Sequence, residues 1–406
     1  MKFALPQTQL KERISNCEAC GLNKSSKIPV YGSGGMGLLI VFDGQDSLQQ
    51  QVKSFGIGFR FEFVRRALKE LGIDITHDCW VTSLIQCYSN DYTNQQGSYC
   101  LANLHNALDT LKPKVVLFFG EACPRAVLKD TIKGIYLDMV RGIVHNSRMF
   151  GCRMVFTLSP FHPASQSEEA VIKVIHRDIA IAANCLARPY KQYKAEEGCI
   201  ELMNPRNAAL WLEREAGHTQ TRWQAFDYET NSLRPYNDTA ELVSCAIADT
   251  PDHVVSFMID DVTTGPLKRW LTSRHIKKIA HNTAFERAWS IVKLGVAPEM
   301  LIADTMLLFH AMDNRKDKVR SIKFLGPMLT GCQIWNEHIE GYLEGDAEGS
   351  YGINKVRQIP QRQLLIYNAM DSLIEFRVFD VLTEQLKDYK KTFALAKELK
   401  KERDQQ

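Results

Sequence analysis

The stretch Trp223-Gln-Ala-Phe-Asp-Tyr-Glu229 decides how the second half of this chain is read. It is a short apolar run closed by acids, and it predicts a buried strand. In a strand, residues i and i+2 face the same side, so Asp227 and Glu229 project together. Two neighbouring carboxylates repel unless a cation lies between them. An acid-x-acid pair alone is common, but its place at the end of an apolar strand gives it weight. The segments 240–249 and 253–259 predict strands that pair antiparallel with it. Helices are expected at 266–273, 284–294, 303–312, 321–329 and 361–388. Strands followed by mostly helices predict an α/β fold.

Two further segments add chemistry to the pair. In Ile279-Ala-His-Asn-Thr-Ala-Phe-Glu-Arg-Ala-Trp289, a short strand turns through Asn282 into a helix. Glu286 falls in that helix's first turns and faces back toward the sheet, although helix-dipole stabilisation alone would also favour an acid there. In Tyr367-Asn-Ala-Met-Asp371, residues i and i+4 share a helix face, so a phenol and a carboxylate address one site. Asp is a poor residue for mid-helix by propensity, which points to a chemical reason for it.

Taken in order, these three segments resemble the DEDDy 3′-5′ exonucleases, above all the proofreading domain of DNA polymerase I-type (family A) enzymes of phages and bacteria. Ala303-Asp-Thr-Met-Leu307 and Arg320-Ser-Ile-Lys-Phe-Leu325 are similar to the segments between that family's second and third motifs. The resemblance implies a ribonuclease H-like α/β domain with a mixed sheet over residues 199–388. It implies two divalent ions, Mg²⁺ or Mn²⁺, held by Asp227, Glu229, Glu286 and Asp371, with Tyr367 orienting the attacking water. Oxygen ligands suit such hard cations. Most family members have Asp where Glu286 stands, so its reach differs by one methylene. Asp304 is expected to be structural.

Composition sets the frame around this site. The chain has 406 residues, 45% hydrophobic and 24% charged, an ordinary balance for two globular domains. No apolar run of membrane-spanning length and no secretory apolar core is evident, so a cytoplasmic protein without a membrane partner is expected. Residues 1–190 hold 21 Lys+Arg against 16 Asp+Glu, and the remainder 29 against 31. A mildly basic N-terminal half suits nucleic acid, and ordinary surface variation explains it equally well. The 11 cysteines are an odd number without an export signal, which argues against a disulfide framework. Seven of them precede residue 153, which invites a metal reading for some.

The N-terminal half alternates strands and helices. Strands are expected at 37–43, 79–86, 114–120 and 154–159, with helices at 61–71, 101–111 and 169–187, which predicts a mostly parallel sheet. A Pro-, Gly- and charge-rich linker covers residues 188–198, and a charged helical tail covers 389–406. Cys17-Glu-Ala-Cys20 could be half a zinc site, a redox pair or part of an iron–sulfur cluster. Cys87 and Cys100 bring the thiols to four, enough for Zn²⁺ or a [4Fe–4S] cluster.

The order Asn16-CEACGL, Val30-YGSGG, Leu38-LIVFDGQ, Thr82-SLIQC, Lys114-VVLFFGEAC and Ser159-PFHPAS resembles family 4 uracil-DNA glycosylases over roughly residues 8–187, within a domain expected to cover residues 1–187. The resemblance implies a three-layer α/β/α domain with Cys17, Cys20, Cys87 and Cys100 on a [4Fe–4S] cluster, in preference to Zn²⁺. It also implies a pocket built from Asp43, Phe59, Ser83 and His162. That pocket departs from the family. Asp43 replaces the Glu that handles water, and Ser83 replaces the Asn that reads uracil's edge. A hydroxyl cannot supply an amide's paired donor and acceptor. The expectation is a 3′-5′ DNA exonuclease acting on single-stranded 3′ ends. It would proofread for a DNA polymerase subunit, of a phage by the resemblance, from the host cytoplasm. Its N-terminal half would be a degenerate glycosylase-like DNA- or protein-binding domain, and the chain would stop where a polymerase domain begins. An active uracil-DNA glycosylase with a repair nuclease, a non-catalytic replication scaffold, and RNA as substrate are the competing readings.

Overall fold

The computed structural model describes residues 17–23, 27–89, 92–132, 134–160, 169–188, 190–313, 315, 317–345 and 352–403. The chain divides into two compact units, residues 1–192 and 193–406. The division falls within the segment read as a linker.

In the first unit, Leu38–Phe42 (β1), Cys79–Ser83 (β2), Val115–Phe119 (β3), Val144–Ser147 (β4) and Cys152–Thr157 (β5) form one sheet in the order β2-β1-β3-β5-β4. Only β4 runs antiparallel, against β5. β1, β3 and β5 are buried along their whole length, as central strands of a parallel sheet must be. The helices Phe59–Glu70 (α1), Asn94–Leu111 (α2) and Glu169–Leu186 (α3) accompany them. Phe61, Val64 and Leu68 of α1 and Ile175 and Ile179 of α3 pack on Leu38, Ile40 and Phe42. Two boundaries differ from expectation by more than two residues. β2 ends at Ser83, not Gln86, because Leu84 and Ile85 turn to donate backbone N–H bonds to Phe42 and Asp43. α2 starts at Asn94 rather than residue 101, because Thr93 and Gln96 form a capping box ahead of the apolar stripe. The polar edge strand β4 lacks the apolar signature and was not expected.

In the second unit, Ile200–Leu202 (β6), Arg222–Thr230 (β7), Leu242–Thr250 (β8), His253–Met258 (β9), Ile276–Ala280 (β10) and Leu301–Asp304 (β11) make a mixed sheet ordered β11-β10-β7-β8-β9-β6. β7–β8 and β8–β9 are antiparallel, while β10 runs parallel to β7 and β11. The helices longer than one turn are Pro205–Ala216 (α4), Asp261–Leu271 (α5), Thr283–Trp289 (α6), Thr305–Met312 (α7), Ile322–Thr330 (α8) and Gln361–Arg403 (α9). Helix α4, capped by Asn204 with Pro205 at its first position, was not expected, and neither was β6. The helix expected from residue 303 is a correction: Ala303 and Asp304 close β11, and Asp304 caps α7. The stretch expected as one helix over 284–294 changes at Ser290 into a π turn ending in left-handed Gly295. Helix α9 runs unbroken into the charged tail as far as Arg403.

One packing feature positions the site. α9 lies on a sheet face paved with Ala225, Ala246, Ala248, Ile279 and Ala303, against its own Ala369 and Leu373. Small residues let a helix approach a sheet closely. Ala225 lies two residues before Asp227 on β7, so the acids occupy the same face and meet α9.

Candidate active site

Side-chain alternation along β7 puts Phe226 and Tyr228 in one core and Asp227 and Glu229 beneath α9. The helix supplies Asp371. Ligand oxygens of Asp227, Glu229 and Asp371 all lie within 4.8 Å of one another. Among the described residues no other group of three or more His, Cys, Asp or Glu is that compact. Glu229 and Asp371 are 7% and 6% exposed, so their charges have little water to solvate them. Burial first, then the Asp371 carboxylate, drives Asp227 well above the usual carboxylate range. Burial first, then Asp227 and Asp371, does the same to Glu229. Such a cluster is costly with all its charges bare and is well matched to divalent cations.

Neighbours fix each acid's orientation. Asn368 Nδ2 donates to Asp227 Oδ2 at 2.8 Å, while its Oδ1 accepts from Ser244 Oγ at 3.0 Å. Trp335 Nε1 donates to Asp371 Oδ1 at 2.9 Å. Lys323 forms an ion pair with the same carboxylate. The Lys323 ammonium lies 4.2 Å from the Tyr367 ring centroid and 4.4 Å from that of Trp335. Tyr367 is 6% exposed, one helical turn before Asp371, and burial pushes its phenol far up, so it stays neutral and can donate a hydrogen bond.

Glu286 stands outside the compact group of three. It is 1% exposed, its Oε2 has no hydrogen-bond partner, and burial and Asp227 raise it well above the carboxylate range. A buried acceptor left unsatisfied is the kind of atom an ion would complete. Asp304 holds the turn that delivers Glu286. Its carboxylate accepts from Thr283 N at 2.8 Å, Thr283 Oγ1 at 3.0 Å and Leu307 N at 3.1 Å. It therefore ties the start of α6 to the start of α7. Asn282 adopts the left-handed conformation at that turn, φ 74°.

Sequence reasoning missed four residues here. Lys323 lies within the quoted Arg320–Leu325 segment, and Asn368 adjoins Tyr367, but nothing in either position announced a partner. Trp335 carried no signal, because its link to Asp371 spans a loop. Glu375 did carry one: it continues the i, i+4 stripe Tyr367–Asp371–Glu375.

The first unit places Asp43 and Ser83 on adjacent strand ends, since Phe42 and Ser83 are paired in register. Arg60 Nη1 meets Asp43 Oδ1 at 2.7 Å. Burial nonetheless leaves Asp43 above its ordinary value. Ser83 Oγ donates to Ile85 O at 2.8 Å, and Tyr92 Oη contacts both Gln45 N and Gln45 O at 2.9 Å. The Tyr92 ring presses on Gly44, where an added Cβ would come within 2.2 Å of it. Phe59 is 52% exposed at the start of α1. His162 lies outside the described residues.

The thiols of Cys20, Cys87 and Cys17 all act electrostatically on Cys100, which burial pushes up to about 11. These four sulfurs are not as compact as the 4.8 Å acid group. A single Zn²⁺ with bonds near 2.3 Å would hold four sulfurs within about 4 Å of one another. A cluster in which each thiolate ligates its own iron spreads them wider. Cys79, Cys123 and Cys152 are fully buried in the core.

Comparison with known proteins bears on both units. Residues 210–387 match the 3′-5′ exonuclease family. That is a family of nucleases, hydrolases that act on nucleic acid with divalent metals, and its span contains all five exonuclease positions named above. The N-terminal region resembles the type-4 uracil-DNA glycosylase of Pyrobaculum aerophilum, 24% identical over 180 residues, 43% of this chain and 91% of that protein. Among solved structures, NrnC of Brucella melitensis is 20% identical with a TM-score of 0.35, covering 48% of this chain and 85% of its own. RNase D of Escherichia coli is 17% identical with a TM-score of 0.35, covering 47% and 45%. Pol1 of M. smegmatis is 12% identical with a TM-score of 0.32, covering 47% and 28%. Among the described residues no helix is long and apolar enough to cross a membrane.

Proposed function

We propose that this protein is a two-metal-ion 3′-5′ exodeoxyribonuclease that trims single-stranded 3′ ends and serves as the proofreading module of a replicative DNA polymerase. The observation that carries the reading is the buried meeting of Asp227, Glu229 and Asp371 beside Tyr367. Divalent cations bound there would supply Lewis acidity and a water nucleophile for phosphodiester hydrolysis. Asp227, Glu229 and Asp371 would hold the ion on the water side, and Asp227 with Glu286 the ion on the leaving-group side. Tyr367, neutral and fixed by α9, orients the water. Lys323 neutralises Asp371 and keeps the acid cluster tolerable before ions enter. The test is a labelled mismatched 3′ end incubated with Mg²⁺ or with chelator. Stepwise 3′ degradation should require Mg²⁺ and vanish in Asp227→Asn, and equal degradation by that variant would refute the assignment. A matched RNA substrate run alongside decides between DNA and RNA.

The first unit is, on this reading, a [4Fe–4S] domain of glycosylase type that no longer excises uracil and instead holds DNA or a polymerase subunit. The Arg60–Asp43 ion pair, the inward Ser83 hydroxyl and Tyr92 against Gly44 all occupy groups a base pocket would need free. Reading a base requires unpaired donors and acceptors aimed at its edge. The likeness to a type-4 glycosylase over 91% of its length favours the opposite reading, an active repair enzyme. A uracil-containing oligonucleotide followed by alkali separates the two: intact strands support loss of excision, and cleavage at uracil supports repair. Co-purification with a DNA polymerase tests the partner.

A further inference from the structure

One neighbour of the acid cluster carries a charge of its own. Lys323 falls in the first turn of α8, behind the Ser321 cap. A lysine there faces the positive end of its own helix dipole, the wrong charge for that place. What it reaches accounts for it. Its ammonium forms an ion pair with Asp371 Oδ1, the oxygen that also accepts from Trp335 Nε1 at 2.9 Å. The ring centroids of Tyr367 and Trp335 lie 4.2 and 4.4 Å from the ammonium, an arrangement that favours a cation. Its charge acts on Asp227 and Glu229 as well. The Lys323 side chain is 26% exposed and that of Asp371 9%, so the lysine has a way out to water and the carboxylate has not.

Asp371 is also one of the three acids whose ligand oxygens lie within 4.8 Å of one another. One carboxylate therefore serves both a cation of the chain itself and the ion that the group can hold. An ammonium and a divalent ion brought to contact in so buried a place repel strongly. We propose that Lys323 is a built-in competitor of the divalent cation: it holds Asp371 in the metal-free protein, gives up that carboxylate when the ion loads, and so sets the ion concentration at which the nuclease switches on. The proposal rests on the metal-site reading above. The exchange needs only a rotation of the flexible lysine stem, with α8 left in place.

The experiment is calorimetric titration of the full chain with Mn²⁺, beside NMR of the chain labelled at the lysine ε-carbons. Lys323→Met keeps the stem and removes the charge. It should bind Mn²⁺ about tenfold more tightly than the wild type, the scale on which groups touching metal ligands act on affinity. Lys323→Arg keeps the charge and should bind as the wild type does. If Lys323→Met does not fold, as read by its circular dichroism, Lys323→Gln serves for the same comparison. In the wild type, the Lys323 signal, known by its absence from Lys323→Arg, should move as Mg²⁺ saturates the site. Unchanged or weaker Mn²⁺ binding by the folded uncharged variant, tighter binding by Lys323→Arg as well, or a Lys323 signal that saturating Mg²⁺ leaves in place would overturn the proposal. Asp227→Asn is the separating control. If it loses the ion while Lys323→Met binds as the wild type does, only the Lys323 assignment fails. If it too binds as the wild type does, the metal-site reading itself fails.

Discussion

Asp227 sits where the elements of the acid cluster converge, accepting from Asn368 and flanked by the carboxylates of Glu229 and Asp371. Its loss should be felt in chemistry rather than in folding. Asp227→Asn is expected to lower Mg²⁺-dependent 3′ degradation by about 10² or more, the scale of losing one group that stabilises transition-state charge. Its melting temperature without metal should hold or rise, because a buried charge has gone. Lys323→Met makes the opposite case. It removes the cation paired with Asp371 and packed on Tyr367 and Trp335, leaving the acid cluster uncompensated. It should lower the denaturant midpoint of the metal-free protein more than that of the Mn²⁺-loaded one. Equal shifts would show that the ammonium does not offset the acids' repulsion.

At the scale of elements, Asp304 is the joint between β11, α6 and α7. Asp304→Ala removes a cap and the tie to Thr283, so stability should fall by about 1 kcal/mol in a denaturant titration, the usual cost of a lost N-cap. Activity should fall with it, because Glu286 rides on the helix that Asp304 anchors. The same joint shows what a linear reading loses. Ala303-Asp-Thr-Met-Leu reads as helix by apolar spacing, yet its first two residues close a strand, because β10 offers Ala303 and Asp304 a parallel partner. Helix α2 hid its first two turns in polar residues, and β4 is too short and polar to announce itself. In the first unit, Cys100 sits on α2 while Cys87 follows β2, so a cluster there would pin a helix to a loop. The purified protein should absorb near 400 nm, and Cys100→Ser should abolish that band; zinc without iron in elemental analysis would reverse the choice.

At the scale of the whole molecule, the buried acids make stability pH-dependent in a definite direction. Asp227, Glu229, Glu286 and Glu375 are all raised in the folded protein, with burial the first cause. The folded state therefore keeps protons that the unfolded state releases at ordinary carboxylate values. The stability these groups permit is present at low pH and is lost as pH rises from the ordinary carboxylate range through their folded values. In chelator, melting temperature should fall from about pH 5 to pH 8 on this account. Mn²⁺ should stabilise more strongly at pH 8, where it displaces fewer protons. A melting temperature in chelator that climbs across this range would contradict the assignment.

The sequence by itself determined the strand that carries Asp227 and Glu229 and the helix that carries Tyr367 and Asp371. Periods of two and of three to four residues are written in the order of residues, and strand and helix geometry turns them directly into shared faces. It also marked Glu286 as a departure from the exonucleases that the segment resembles. Only the tertiary structure decided what neutralises and orients those acids. Lys323 and Trp335 reach Asp371 across 48 and 36 residues, Asn368 reaches Asp227 across 141, and Arg60 reaches Asp43 across 17. Such pairings arise from close approach of α9 to an alanine-paved sheet and of α1 to β1, which no local pattern records.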